Sequence, residues 1–292
     1  MKIINFSGGL GNQMFQYAFL VGMREATKDE CLMDVSKYKT YKLHNGFELN
    51  RIFNISARTA TKDEIQKVSR YTTNYKLSRI YRKLLPNKHT EIVELMPSCP
   101  YIPNIFTQAK GDLYYEGIWQ NYRYFESCRD AILKEFNYIQ PLSSKNIDVK
   151  LWILSKPTVS IHIRRGDYLK HKIYRGLCGL EYYSRAIRYI DNKYGTSVQY
   201  AIFSNDIEWS KENVLPLLNG SSAKIIDWNT KLESYNDMRL MSYCKINILA
   251  NSSFSWWGAY LNEQPNKETI APAKWVNPPV QFNGQLPEWI LL

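Results

Sequence analysis

From Thr158 to Leu261 the sequence alternates between short apolar runs and longer runs of helical periodicity. Thr158–Ile163, Val198–Phe203, Ala223–Ile226 and Ile246–Ala250 read as strands. Leu180–Lys193, Glu208–Leu218, Leu232–Tyr243 and Phe254–Leu261 read as helices. Strands separated by helices of this length specify a parallel sheet covered on both faces. In such a sheet a ligand sits in the crevice beyond the carboxyl ends of the strands.

The N-terminal half follows the same rule less regularly. A strand (Lys2–Phe6), a glycine turn (Ser7–Gly11), a helix (Asn12–Thr27) and a second strand (Cys31–Val35) come first. Asn12 is placed to cap that helix, with Phe15, Phe19 and Met23 on one face. A further strand is expected around Asp112–Glu116 and a helix over Asn121–Phe136. Residues 61–88 read as helical and carry eight Lys or Arg against Asp63 and Glu64. They suit a solvated surface or contact with a membrane. Pro141, Ser143, Ser144 and Pro157 surround one short helix, which we take as the connection between domains 1–150 and 151–292.

Four of the strand ends carry polar groups. His162 and Arg164–Asp167 follow the first, Ser204, Asn205 and Asp206 the second, Asp227 the third, and Asn251, Ser252 and Ser253 the fourth. One such end is ordinary loop chemistry; four at one sheet edge mark a ligand crevice. Arg164 and Arg165 add two cations that cannot lose their protons and that suit phosphate oxygens. NSSFSWW opens a helix, whose free N–H groups favour anions, although simple capping also explains it. Asp206 is the expected reader of a base or ribose. The net charge of +11 favours nucleotide phosphates, nucleic acid or an anionic membrane surface without choosing among them.

Gly9-x-Gly11 after a strand suggests a dinucleotide turn, with Asp34 as a ribose contact, but Met14 stands where a third glycine belongs. An NAD-dependent enzyme is therefore an alternative, as is a basic non-catalytic protein binding glycan or nucleic acid. No HExxH, DxD, GxSxG or Walker A motif occurs, and no recognised nucleic-acid module. The five dispersed cysteines make neither a disulfide framework nor a zinc site. With no signal-like or membrane-spanning apolar run, a cytoplasmic setting is expected, peripheral at the inner membrane face.

FSGGLGNQMFQYA, YEGIWQNYRYF, SIHIRRGDY, CGLEYY, FSNDIEW and ILANSSFSWWGAYLN occur in order across nearly the whole chain. Together they resemble the bacterial-type alpha-1,2-fucosyltransferases of glycosyltransferase family 11. The segment between residues 37 and 110 carries no matching motif, which leaves the acceptor open. The resemblance implies an α/β, GT-B-like fold of two Rossmann-like domains facing across a cleft. The C-terminal domain would bind GDP-fucose and the N-terminal one the acceptor.

It further implies inverting transfer to the 2-hydroxyl of a β-galactoside, with no metal and no cofactor besides the donor. The natural acceptor would be a lipid-linked oligosaccharide of O-antigen or capsule synthesis, and nucleic acid would be no partner. His162 and Asp206 would meet the guanosine and Arg164 the diphosphate, with Arg165 and Asn205 in the same loops. Asn251, Ser252 and Ser253 would complete the phosphate site. Gly9, Gly11, Asn12 and Gln13 would close on fucose and acceptor. Because sugar faces stack on aromatic rings, Trp119 and Gln120 also suit an acceptor platform, with core packing an equal reading of Trp119. Catalysis would rest on Arg164, with Asp167 orienting it or serving as base; Asp34 and Glu116 are further base candidates.

Overall fold

The computed structural model describes residues 1–40, 44–70, 75–94, 99–278, 282 and 284–292. The chain divides into two compact units, Met1–Gln140 and Pro141–Leu292. The first contains β1 (Lys2–Asn5), α1 (Leu10–Thr27), β2 (Cys31–Asp34), α2 (Leu49–Ile52), α3 (Lys62–Val68), α4 (Tyr75–Leu84), β3 (Glu91–Val93), β4 (Leu113–Glu116) and α5 (Arg129–Glu135). The second contains α6 (Ser144–Ser155), β5 (Thr158–Ile163), α7 (Leu180–Tyr194), β6 (Gln199–Ser204), α8 (Ile207–Asn213), β7 (Ala223–Ile226), α9 (Tyr235–Met241), β8 (Ile246–Ile248), α10 (Ser253–Tyr260), β9 (Glu268–Ala271) and β10 (Ile290–Leu291).

A boundary at 150/151 would cut α6 in two. The helix belongs to the second unit because Val149 and Ile153 bury against Leu240, Met241 and Phe203.

Both sheets are wholly parallel, in the orders β2-β1-β4-β3 and β10-β9-β8-β5-β6-β7. In the second, alternate residues of each strand feed different cores, as a period of two demands. Val159, Ile161 and Ile163 join Tyr200 and Ile202 beneath α7. Ala201 and Phe203 turn the other way, to α6 and α9. Each such fully buried Val, Ile or Phe side chain stabilises by about 1.5–3 kcal/mol. Gly258 lets α10 approach α9, because an added Cβ would lie 3.1 Å from Met241 Cβ.

Two expected features of the first unit differ. Asn12 does not cap α1; Gly9 is the cap residue, in extended conformation, and Asn12 lies inside the helix. The helix expected over Asn121–Phe136 is broken into 3-10 turns at Tyr122–Tyr124 and Glu126–Cys128 before α5 begins. Tyr122, Tyr124, Phe125 and Cys128 are all buried, too many neighbouring positions for one face of a helix. The Tyr124 carbonyl packs so closely on α1 that a Cβ at Gly22 would come within 2.0 Å of it.

Candidate active site

The chain runs from β5 through β6 to β7 on one side of the second sheet, then returns to the other side of β5 at β8. The order therefore reverses between β5 and β8, the place where open parallel sheets hold ligands. His162 is the penultimate residue of β5 there, Arg164 comes directly after the strand, and Asn251–Ser253 follow β8.

His162 pairs in register with Phe203, so its ring lies on the α9 face, 5.7 Å from the Phe254 ring. Burial, helped by the Arg164 charge, pushes its pKa down to about 3, so the imidazole is neutral. Its Nδ1 is buried without a hydrogen-bond partner. Arg164 Nη2 donates to Asp167 at 2.9 Å, and its guanidinium lies 5.3 Å from the Tyr168 ring centroid. Its Nε is also buried and unpartnered. Buried polar atoms left unpaired are uncommon, and two of those found among the described residues stand together at this strand end, open to a ligand's polar groups.

The other residues of these loops are committed to the protein. Arg165 Nε donates to Asp206 Oδ2 at 3.1 Å, and its guanidinium lies 4.0 Å from the Trp209 ring centroid. Asp206 Oδ1 caps α8 by accepting from Trp209 N–H. Asp206, the base reader expected from sequence, thus has both carboxylate oxygens engaged. Asn205 Oδ1 accepts the Arg165 N–H at 2.8 Å, and its Nδ2 would meet a Cβ on Gly166 at 2.6 Å. Asn205 is thereby a brace for the arginine loop. Asp167 faces solvent at 47% side-chain exposure and holds Arg164 with both oxygens.

At the β8 end the capping explanation accounts for much of the motif. Asn251 Nδ2 donates to the Trp275 and Tyr174 carbonyls, so the N–H groups of its buried amide tie two loops together. Ser252 caps α10 through Phe254 N–H, and its side chain also bonds the Tyr168 hydroxyl. Ser253 is the half-buried first residue of α10. The Arg164 loop and the start of α10 are joined through Tyr168.

Asp237, absent from the residues picked by motif, stands in the first turn of α9, on the face that carries His162. Burial pushes its carboxyl up to about 8, against one stabilising bond from Asn229 Nδ2 at 2.8 Å. The sequence signal for it is slight: an aspartate one turn into a helix looks like an ordinary dipole partner.

In the first unit the order reverses between β1 and β4, which brings the glycine turn beside residues 117–120. Gln13 and Trp119 are fully buried. Gln13 bonds the Gly8 and Gly46 carbonyls and accepts from Glu48 N–H, shaping the turn from within. Trp119 stacks on Phe19 at 4.4 Å and is no acceptor platform. Gly9 lies against the His44 ring, Gly11 is buried, and Asn12 and Gln120 are half-buried.

Asp34 accepts from Ser36 N–H and the Tyr114 hydroxyl, so it offers nothing to a ribose or as a base. Glu116 pairs with Lys37 at 3.1 Å. Among the described residues no cluster of three or more His, Cys, Asp or Glu is arranged to hold a metal ion.

The family model for Glycosyl transferase family 11 matches residues 1–292. The chain belongs to glycosyltransferase family 11. Similar curated proteins include an alpha-1,2-colitosyltransferase of Escherichia coli, 35% identical over 94% of this chain and 91% of that one. The O-antigen biosynthesis glycosyltransferase WbnK of Escherichia coli is 33% identical over 92% and 93%. Galactoside alpha-(1,2)-fucosyltransferase 2 of Rattus norvegicus is 26% identical over 99% of this chain and 76% of its own length.

Among solved structures, NodZ alpha-1,6-fucosyltransferase soaked with GDP-fucose aligns with a TM-score of 0.53 at 14% identity, covering 89% and 92%. A variant of Arabidopsis thaliana FUT1 with GDP aligns at 0.51 and 11% identity, covering 92% of this chain and 69% of that one. The family 11 chain thus has the expected α/β, GT-B class of fold.

Proposed function

We propose that this glycosyltransferase moves L-fucose from GDP-β-L-fucose, with inversion, to the 2-hydroxyl of a terminal β-galactoside in O-antigen or capsule synthesis. Arg164 carries the reading: a fixed guanidinium at the strand-order reversal, held by Asp167, beside the start of α10 and with Nε unpartnered. In the reaction the acceptor oxygen bonds to the fucose anomeric carbon while the bond from that carbon to the diphosphate oxygen breaks. GDP leaves with the electron pair, and the acceptor proton passes to solvent or a base. The charge appearing on GDP needs preorganised donors, and Arg164 with the α10 N–H groups supplies them. On this reading no metal and no cofactor is required.

Asp167 acts as the positioning residue for Arg164. His162 and Asp237 meet the guanine: a carboxylate accepts from its ring and amino N–H groups, and a neutral imidazole supports a hydrogen bond to an uncharged atom. The acceptor is a lipid-linked oligosaccharide on the cytoplasmic side. The α-1,2 linkage is supported by relatives named for it with two different sugars.

Colitose is fucose without its 3-hydroxyl, so donor choice is the point to test. Purified protein in EDTA is given GDP-fucose or its 3-deoxy analogue with a panel of β-galactosides, and GDP release and NMR linkage are read. Acceptor-dependent release with an α-1,2-fucosyl product is expected. Preference for the deoxy donor by tenfold or more would reassign the sugar; turnover abolished by EDTA and restored by a divalent ion would reassign the charge stabilisation.

A further inference from the structure

We infer that α4 is a bilayer-surface helix that docks the chain on anionic lipid. On α4 and the residue after it, Leu77, Ile80, Tyr81, Leu84 and Leu85 are exposed by 41%, 47%, 40%, 74% and 43%. Their spacing of i, i+3, i+4, i+7 and i+8 defines a single helical stripe. A surface helix of a soluble protein normally turns that stripe inward; here it faces out.

The remaining positions of the helix include Lys76, Arg79, Arg82 and Lys83. From Ile65 to Thr90 the sequence holds seven Lys or Arg and no Asp or Glu. An apolar stripe on an acid-free cationic segment is the composition of a helix lying in the headgroup region. Among the described residues no helix is long and apolar enough to cross a membrane, so α4 would lie on the surface.

Charge selects the occupant. A second copy would bring two such cationic segments together, at a Coulombic cost. Nucleic acid would satisfy the cations and leave the stripe in water. An anionic bilayer satisfies both. The inference stands apart from the donor and acceptor, and bears on where a lipid-linked acceptor is met.

The test is flotation of the full chain with phosphatidylcholine vesicles, with and without phosphatidylglycerol. Binding is expected to the anionic vesicles, weakening as salt is raised. Ile80→Ser/Leu84→Ser is expected to lower partitioning at least about tenfold, and Lys83→Gln about fivefold. Thermal melting serves as the control for folding, so failure of the transfer assay leaves this test intact. Equal binding to pure phosphatidylcholine, or a serine variant that binds like the wild type, would overturn the inference. So would a concentration-dependent dimer in sedimentation that the serine variant loses, which would show self-association through the stripe.

Discussion

The Arg165 guanidinium lies 4.0 Å from the Trp209 ring centroid, whereas Arg164, its neighbour in sequence, lies against Tyr168. One arginine is therefore sealed into the protein by an aromatic face and the Asp206 carboxylate. The other keeps a buried, unpartnered Nε beside the start of α10. Two residues that look interchangeable in the sequence differ in their surroundings: Arg165 holds the loop, and Arg164 is the one proposed to meet the diphosphate.

Arg164→Ala is expected to retain the wild-type melting temperature and to lose about 10²–10³ in turnover, the usual effect of removing one preorganised charge stabiliser. Arg164→Lys should recover only part of this, because an ammonium keeps the charge but not the planar fork. Steady-state kinetics with GDP-fucose decides it: an alanine variant above a tenth of wild-type turnover would sink the role.

Asp167→Asn separates positioning from proton abstraction. Both of its oxygens lie on Arg164 Nη2, so the amide should loosen the guanidinium and lower turnover about tenfold, leaving the shape of the pH–rate profile intact. Disappearance of the acidic limb in the variant would instead make Asp167 the base.

Asp206→Ala and Arg165→Ala should read as stability changes. Losing the α8 cap costs about 1 kcal/mol. The ion pair, 21% and 31% exposed on its two side chains, adds at most about 1 kcal/mol. GDP affinity, measured by calorimetry, should stay within about threefold of wild type for Asp206→Ala; a loss of a hundredfold would return Asp206 to the base site.

Much of this architecture was legible beforehand, for identifiable reasons. β5 was readable to the residue because six consecutive buried positions end at a charged loop. The parallel order followed from helix-length crossovers. β9 and β10 escaped because they are short and set among proline- and asparagine-rich turns, where local pattern carries little signal. Site residues were legible by place rather than by task. Gln13, Asn205 and Asn251 stand at the expected sheet edges, yet their amides bind backbone, a choice settled by neighbours distant in sequence. Trp119 was equally ambiguous, since an aromatic ring serves a core as well as a sugar face.

Trp119→Ala is accordingly expected to destabilise the first unit by about 3–5 kcal/mol, the cost of emptying a fully packed aromatic site. Urea unfolding measures it. A variant of unchanged stability whose acceptor KM rises would restore the platform.

The last expectation concerns pH. Burial raises the Asp237 carboxyl to about 8, above the unfolded value of about 3.9. The folded chain then holds a proton that the unfolded chain has released, so Asp237 lowers stability progressively as pH rises from about 4 to about 8. His162, depressed to about 3, acts in the other direction, with stability lost as pH falls below about 6.5.

Asp237→Asn should remove the decline between pH 5 and 8 attributable to Asp237 while leaving the acid-side loss in place, as urea midpoints across that range will show. Guanine N–H donors favour the ionised carboxylate, so GDP binding near pH 7 should expel the Asp237 proton. Calorimetry in two buffers of different ionisation enthalpy should then give apparent binding enthalpies that differ for the wild type and coincide for Asp237→Asn. Coincident enthalpies in the wild type would take Asp237 away from the guanine.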